Sequence, residues 1–165
     1  IKKFDGKWIL WYVSGNKWLK INDKPEPVYK IRMATSDDGI NWEKYGKDLI
    51  TDKLGDDECQ ACADVNYFDE KYHMFYSYRY SYDYKKRGNG YSIGYASSDD
   101  MYKWEREDGL AGISVSESGW DSETISYPHL FFLDGKTYML YQGNGMGRDG
   151  IGIAMMVDDK KGFCK

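Results

Sequence analysis

A chain of 165 residues is long enough for one ordinary domain with its own core, and a hydrophobic fraction of 41% suits a globular fold. No apolar run approaches the roughly 18 residues that a spanning helix requires, so no membrane partner is expected. A net charge of −4 and a pI of about 5.2, with Lys and Arg scattered among acids, give no electrostatic reason to bind nucleic acid.

The chain opens on "IKKFDGKW", with neither an initiating Met nor the apolar segment of a secretion leader, and a cytoplasmic location is the expectation. A repeat begins at once. "DGKWILWYV" at Asp5 returns as "DEKYHMFYS" at Asp69 and "DGKTYMLYQ" at Asp134, 64 and 65 residues apart, so that Tyr12, Tyr76 and Tyr141 fall in register. A second element follows each: "YKIRMATSDDGINW" (Tyr29 to Trp42), "YSIGYASSDDMYKW" (Tyr91 to Trp104) and the shorter "GIGIAMM" (Gly150 to Met156). A period of this length with several short strands per unit marks a repeat architecture.

Each unit reads as β. Tyr72, Met74, Tyr76, Tyr78 and Tyr80 recur at every second position behind an Asp69-Glu70 turn, and no amphipathic helical stripe with caps occurs. The middle unit reads as four strands, about 62–68, 71–79, 91–97 and 104–116. Four antiparallel strands in tandem repeat are the blades of an all-β propeller. The expected division is a blade over 1–57 lacking its inner strand, a complete blade over 58–119 and a blade over 120–165 lacking its outer strand. That makes ten strands, about two and a half four-stranded blades. Since a ring needs at least four blades, either the chain is part of a longer protein or two copies, as a homodimer, complete one five-bladed ring.

"TSDDGINW" fits the Asp-box pattern, in which Asp side chains bond turn amides, Gly39 permits positive φ and Trp42 plugs between strands. Asp37, Asp38, Asp99 and Asp100 are therefore expected to be structural. The three cysteines are an odd number, and Cys59 and Cys62 form a lone C-x-x-C with no second pair, which reads as reduced thiols. No cofactor or metal is expected.

Propeller ligands gather where inner strands begin, which singles out "DDECQACADV" and "GWDSETISYPHL". Glu58 and Glu123 stand one repeat apart, with Asp121 beside the second, and convergent carboxylates are what glycosidic cleavage needs; a solvated turn is the alternative. Trp120 and Tyr127 could stack on a sugar, His129 could bind it or pack within its strand, and Arg79 could hold a carboxylate or sugar hydroxyls or else pair with a nearby Asp. The aromatic content, 17% with 16 Tyr and 6 Trp, suits both strand building and sugar stacking. Lys85, Lys86 and Arg87 read as a solvated loop tip, and "GNGMGRDG" joins two strands rather than opening a helix, which argues against a phosphate cradle.

Taken in order, these motifs resemble the C-terminal half of bacterial glycosylase-like proteins that look like five-bladed propeller glycoside hydrolases, in the wider group of arabinanases, xylosidases and invertase-like enzymes. The resemblance implies a carbohydrate partner and axial carboxylates on successive blades. The Glu58-Cys59 pair is similar to the motif in which invertase-like enzymes place their proton donor, although Gln60 stands where they usually have Pro. It also implies that a first-blade carboxylate is absent from this chain, so that the alternatives are a hydrolase completed by other blades and a noncatalytic glycan-binding or assembly module on the same scaffold.

Overall fold

The computed structural model describes residues 1–157 and 162–165. Among them lie twelve strands in three four-stranded antiparallel sheets, following one another along the chain. The first sheet contains β1 (Lys2–Phe4), β2 (Lys7–Ile21), β3 (Lys24–Ser36) and β4 (Glu43–Lys44). The second contains β5 (Cys59–Phe68), β6 (Lys71–Arg79), β7 (Ser92–Ser98) and β8 (Glu105–Arg106). The third contains β9 (Ser126–Leu133), β10 (Lys136–Gln142), β11 (Ile151–Met156) and β12 (Phe163–Cys164).

These are propeller blades, with two corrections to the expected strand count. The first sheet does have a strand in the inner place, β1, and the third has one in the outer place, β12. At three and two residues, neither is long enough to show an alternating pattern in the sequence. The outer strand expected over 104–116 is likewise only Glu105–Arg106, followed by a 3-10 turn at Asp108–Ala111.

The repeated Asp has a conformational reason. Asp5-Gly6, Asp69-Glu70 and Asp134-Gly135 all take positive φ, between 47° and 82°, and join strands paired Phe4 to Lys7, Phe68 to Lys71 and Leu133 to Lys136. Two-residue turns of this hand match the twist of a hairpin, and Asp-Gly is a favoured sequence for them. The second turn is also repeated. The Asp38 carboxylate accepts the amides of Ile40 and Asn41 at 2.8 Å each, and Asp100 accepts those of Tyr102 and Lys103 at the same distance. These amide bonds hold both carboxyls below the usual carboxylate range. Asp37 and Asp99 point into solvent, 3.9 and 3.6 Å from Lys7 and Lys71.

The core lies between the sheets. On β6, Met74 and Tyr76 pack toward Ile9, Ile31 and Met33 of the first sheet, whereas Phe75 packs toward Leu130 and Met139 of the third. A middle strand covered on both faces explains why His73 to Ser77 is an unbroken buried run. Burying Met74 or Phe75 contributes about 1.5–3 kcal/mol each. On β11 of the third sheet, Ile151, Ile153 and Met155 remain 68%, 58% and 37% exposed. By register Gly152 of this strand matches Gly94, so Ile151 and Ile153 match Ile93 and Tyr95, which are buried against the third sheet.

Gly94 and Gly152 face Tyr76 and Tyr141 in that register. A Cβ at Gly94 would meet Tyr76 Cζ and Asp108 Oδ1 at 2.6 Å, with no space to yield. Gly94→Ala is therefore expected to lower the unfolding free energy in urea by about 1–3 kcal/mol. Gly109→Ala, where nothing lies within 4 Å of the added carbon, should change it far less.

Candidate functional site

Each acid that precedes an inner strand was a candidate catalyst, and the structure places two of them in a repeated packing device. Glu58 is 0% exposed. Its carboxylate accepts the amides of Lys53 and Leu54 at 2.9 Å, Gln60 Nε2 at 3.0 Å and Arg106 Nη1 at 2.7 Å. Arg106 also bonds Asp108, which accepts the Tyr76 hydroxyl at 2.9 Å. The third blade repeats the scheme with other residues: Asp121, 3% exposed, lies 2.5 Å from Lys165 Nζ and accepts the Tyr141 hydroxyl at 3.1 Å. Register explains the match. Arg106 pairs with Ala96, and Lys165 follows Cys164, the partner of Met155, so it falls opposite Ala154 in the equivalent place.

The expected axial pair of acids is therefore not gathered at one point. Glu58 and Asp121 are buried and ion-paired in different blades, and their oxygens are spent on neighbours. Glu123, one repeat after Glu58, is exposed; its amide donates to Asn144 Oδ1 at 2.8 Å. Trp120 is also committed, stacked on Tyr141 at 5.5 Å and covering Gly143, Gly150 and Gly152.

The inner strands share a second repeated feature. Cys62 and Tyr127 take left-handed φ of 52° and 55°, each at a bulge where the register to the next strand shifts. A bulge re-aims the side chains on either side of it. Just past the bulges, Asp64 accepts the amide of Leu130 at 2.5 Å and lies 2.8 Å from Lys2 Nζ and 3.3 Å from His129 Nδ1, tying all three inner strands together. His129 is otherwise open, its side chain 65% exposed. Cys59 and Cys62 are free thiols, the first buried and the second exposed.

At the end of the sheets where β5 and β9 begin lies a cavity of about 410 Å³ between the second and third blades. Arg79, Tyr84 and Tyr91 form one side, Glu123 and Thr124 another, and the loop over 143–150 the third. The Arg79 guanidinium is 3.9 Å from the Tyr84 ring centre and 5.2 and 5.5 Å from those of Tyr91 and Tyr29. It donates to the Tyr29 hydroxyl at 2.9 Å and the Tyr80 carbonyl at 2.7 Å, and the Tyr29 and Tyr91 hydroxyls bond one another. The expected Asp partner is not there: among the described residues no carboxylate lies within 4 Å of it. Tyr127 stands 5.8 Å from Tyr91, and burial pushes its hydroxyl up to about 12, so it remains a proton donor at neutral pH.

The sequence reading missed Tyr29, Tyr84 and Tyr91 as site residues. A signal for two of them exists, since Tyr29 and Tyr91 are the first residues of the repeated second element. A larger hollow of about 550 Å³ lies beside Arg106 and Asp108 at the outer part of the middle blade, but those charges are already paired with each other. Among the described residues no group of three or more His, Cys, Asp or Glu is arranged to hold a metal ion.

No protein-family model matches the chain. An uncharacterised protein of Mycobacterium tuberculosis is 36% identical over 152 residues, 92% of this chain and 47% of that protein. The beta-1,2-mannobiose phosphorylase of a Thermoanaerobacter species is 31% identical over 106 residues, 60% of this chain and 33% of the enzyme. The chain thus spans about half the length of the first relative and a third of the second. Among solved structures it is similar to a family 117 glycoside hydrolase of Zobellia galactanivorans, with a TM-score of 0.76 at 21% identity over 97% of this chain and 51% of that one. For the Bacillus subtilis arabinanase the TM-score is 0.68 at 20% identity, over 99% and 52%. For a Bombyx mori beta-fructofuranosidase in complex with sucrose it is 0.66 at 17%, over 98% and 34%. The fold is a partial propeller of the kind these five-bladed glycoside hydrolases have.

The ion pairs set an acid limit on stability. Burial works to raise the carboxyls of Asp108 and Asp121, but Arg106 and Tyr76 at the first, and Lys165, Ser116 and Tyr141 at the second, hold both below the usual range. Their contribution is present above the unfolded value of about 3.9 and is lost as pH falls through the lower folded values. Urea unfolding should accordingly show stability that holds from pH 7 to about 5 and falls below about 4. At pH 7, Glu58→Gln should cost about 3 kcal/mol, because it leaves part of the buried Arg106 charge uncompensated.

Proposed function

We propose that this chain supplies the glycan-binding portion of a carbohydrate-active propeller, and that the sugar sits in the cavity between the second and third blades. The observation that supports this reading most is the wall of that cavity, where tyrosine rings, an arginine and one open carboxylate converge at the end where two inner strands begin. Its volume falls within the range of small-molecule sites, which are typically concave and aromatic with a few placed polar groups. Tyr84 and Tyr91 line the cavity with aromatic surface suited to the apolar side of a sugar ring, and Glu123 and Thr124 are suited to its hydroxyls. The relatives whose names mention mannobiose and sucrose make a sugar the natural class of ligand.

Cleaving a glycosidic bond takes two carboxyl groups on either side of it. Of the three acids expected as catalysts, Glu58 and Asp121 are occupied in ion pairs and Glu123 is exposed in the cavity wall, which favours binding over cleavage by these blades alone. A hydrolase would draw its second acid from blades outside these residues. The apolar face of Ile151, Ile153 and Met155 is where a further blade would dock, supplied by a longer chain or a second copy.

Ligand-observed NMR against a panel of mono- and oligosaccharides tests the binding. At least one sugar should bind, and Tyr91→Ala should weaken it roughly tenfold, with Glu123→Gln weakening it while leaving the urea midpoint unchanged. Absence of any saccharide binding, or affinity indifferent to both changes, would overturn the reading. In light scattering, Ile151→Lys combined with Ile153→Lys should suppress self-association of the chain.

A further inference from the structure

Among the described residues, Arg79 is a charge without a counter-charge. Its residue is 6% exposed, its Nε is buried with no hydrogen-bond partner among the described residues, and its other contacts are hydroxyl, carbonyl and ring faces, all neutral. Guanidinium groups are rarely buried in this way, because removing the charge from water costs several kcal/mol unless an anion repays it. The Tyr29 hydroxyl does not serve as that anion, since burial first, then the neighbouring Tyr91, push its pKa far above neutral. The rest of the rim has the same sign. Lys85, Lys86, Arg87 and Arg148 line the same cavity. Of these, Lys86 is matched by Asp83 at 2.7 Å and Arg148 by Asp149 at 2.7 Å, while Lys85 has no carboxylate within 4 Å among the described residues and Arg87 reaches only the Glu117 carbonyl at 3.3 Å. Among the described residues Glu123 is the one acid in the wall, so the lining is net positive on a chain whose total charge is −4.

We infer that the ligand of this cavity carries an anionic group, a carboxylate or a phosphate, which docks on Arg79 with Lys85 and Arg87 at the rim. This rests on the cavity being the glycan site and specifies an acidic sugar: a uronate or a sugar phosphate. Arginine suits the task, since its planar fork meets carboxylate or phosphate with two parallel bonds. The tyrosine rings that hold the guanidinium leave it oriented before the ligand arrives.

The test is ligand-observed NMR titration of the full chain with glucose, glucuronate, glucose 1-phosphate, glucose 6-phosphate and inorganic phosphate, at low and high salt. At least one acidic sugar should bind tenfold or more tightly than glucose, and the difference should shrink as salt is raised. Arg79→Gln should abolish the preference. Because that residue is buried and its loss could unfold the chain, Arg87→Gln at the exposed rim is the second variant, and should reduce the preference several-fold with an unchanged urea midpoint. If inorganic phosphate binds as tightly as the sugar phosphates while glucose and glucuronate do not bind, the anion site stands and the glycan reading fails. If glucose binds as well as the acidic sugars and neither variant matters, the glycan reading stands and the anion proposal fails. If none of the probes binds, both are overturned.

Discussion

The buried pairing of Glu58 with Arg106 is the contact on which the middle blade depends. Glu58 leads into the innermost strand and Arg106 lies on the outermost, so their 2.7 Å contact joins the two edges of a four-stranded sheet across the face of β6 and β7. The span is possible because Gly94 has no side chain: Tyr76 lies over it, and its hydroxyl reaches Asp108 at the far edge. Arg106 packs on this aromatic floor, 4.6 Å from the Tyr78 ring centre. A two-residue outer strand has only two residue pairs with its neighbour, too few for a ladder to hold it alone. The side-chain link substitutes for ladder length, and Lys165 with Asp121 does the same for the two-residue β12.

That arrangement separates acids that look alike in the sequence. Glu58 and Glu123 are related by the repeat, but in the third blade the ion-pairing role passes to Asp121, two residues earlier, and Glu123 is released to the cavity wall. A buried ion pair with its oxygens already accepting bonds gains nothing by meeting a substrate, since the exchange would strand Arg106 without a full complement. An exposed carboxylate beside tyrosines has no such cost. Equivalent position therefore predicts equivalent backbone here and not equivalent chemistry.

The backbone was legible because its signals are local. The Asp turns, the aromatic alternation of β6 and the Ser-Asp-Asp turns each lie within a few residues, and together they mark three tandem units of antiparallel strands, two of them read one strand short. What was hidden depends on distance or on brevity. β1 and β12 are too short to alternate. The partner of Glu58 is 48 residues away on such a strand, so burial of the acid could not be read from its neighbours. Arg79 was visible as a candidate, but its tyrosine setting was not: Tyr29 comes from the first blade, 50 residues upstream. The repeat offered the missing clue, since Tyr29 and Tyr91 occupy one place in successive blades and their hydroxyls meet between them.

The same comparison shows where the blades are free to differ. Where β2 joins β3, the first blade runs its strands on to a tight turn at Asn22-Asp23, both at positive φ, and carries Trp18 outward at 71% exposure. At the matching end, the second and third blades stop early and spend the residues on loops over 80–91 and 143–150. Those loops supply Tyr84, Lys85, Arg87 and Arg148, four of the groups that make the cavity aromatic and positive. The framework below them is constrained by Tyr76, Gly94 and their counterparts and tolerates little change, whereas a loop held at both ends can take new side chains without disturbing the sheet. The side chains that differ between blades are consequently gathered at one end of the sheets, and Arg79, the last residue of β6, is the point where the repeated framework meets the loops.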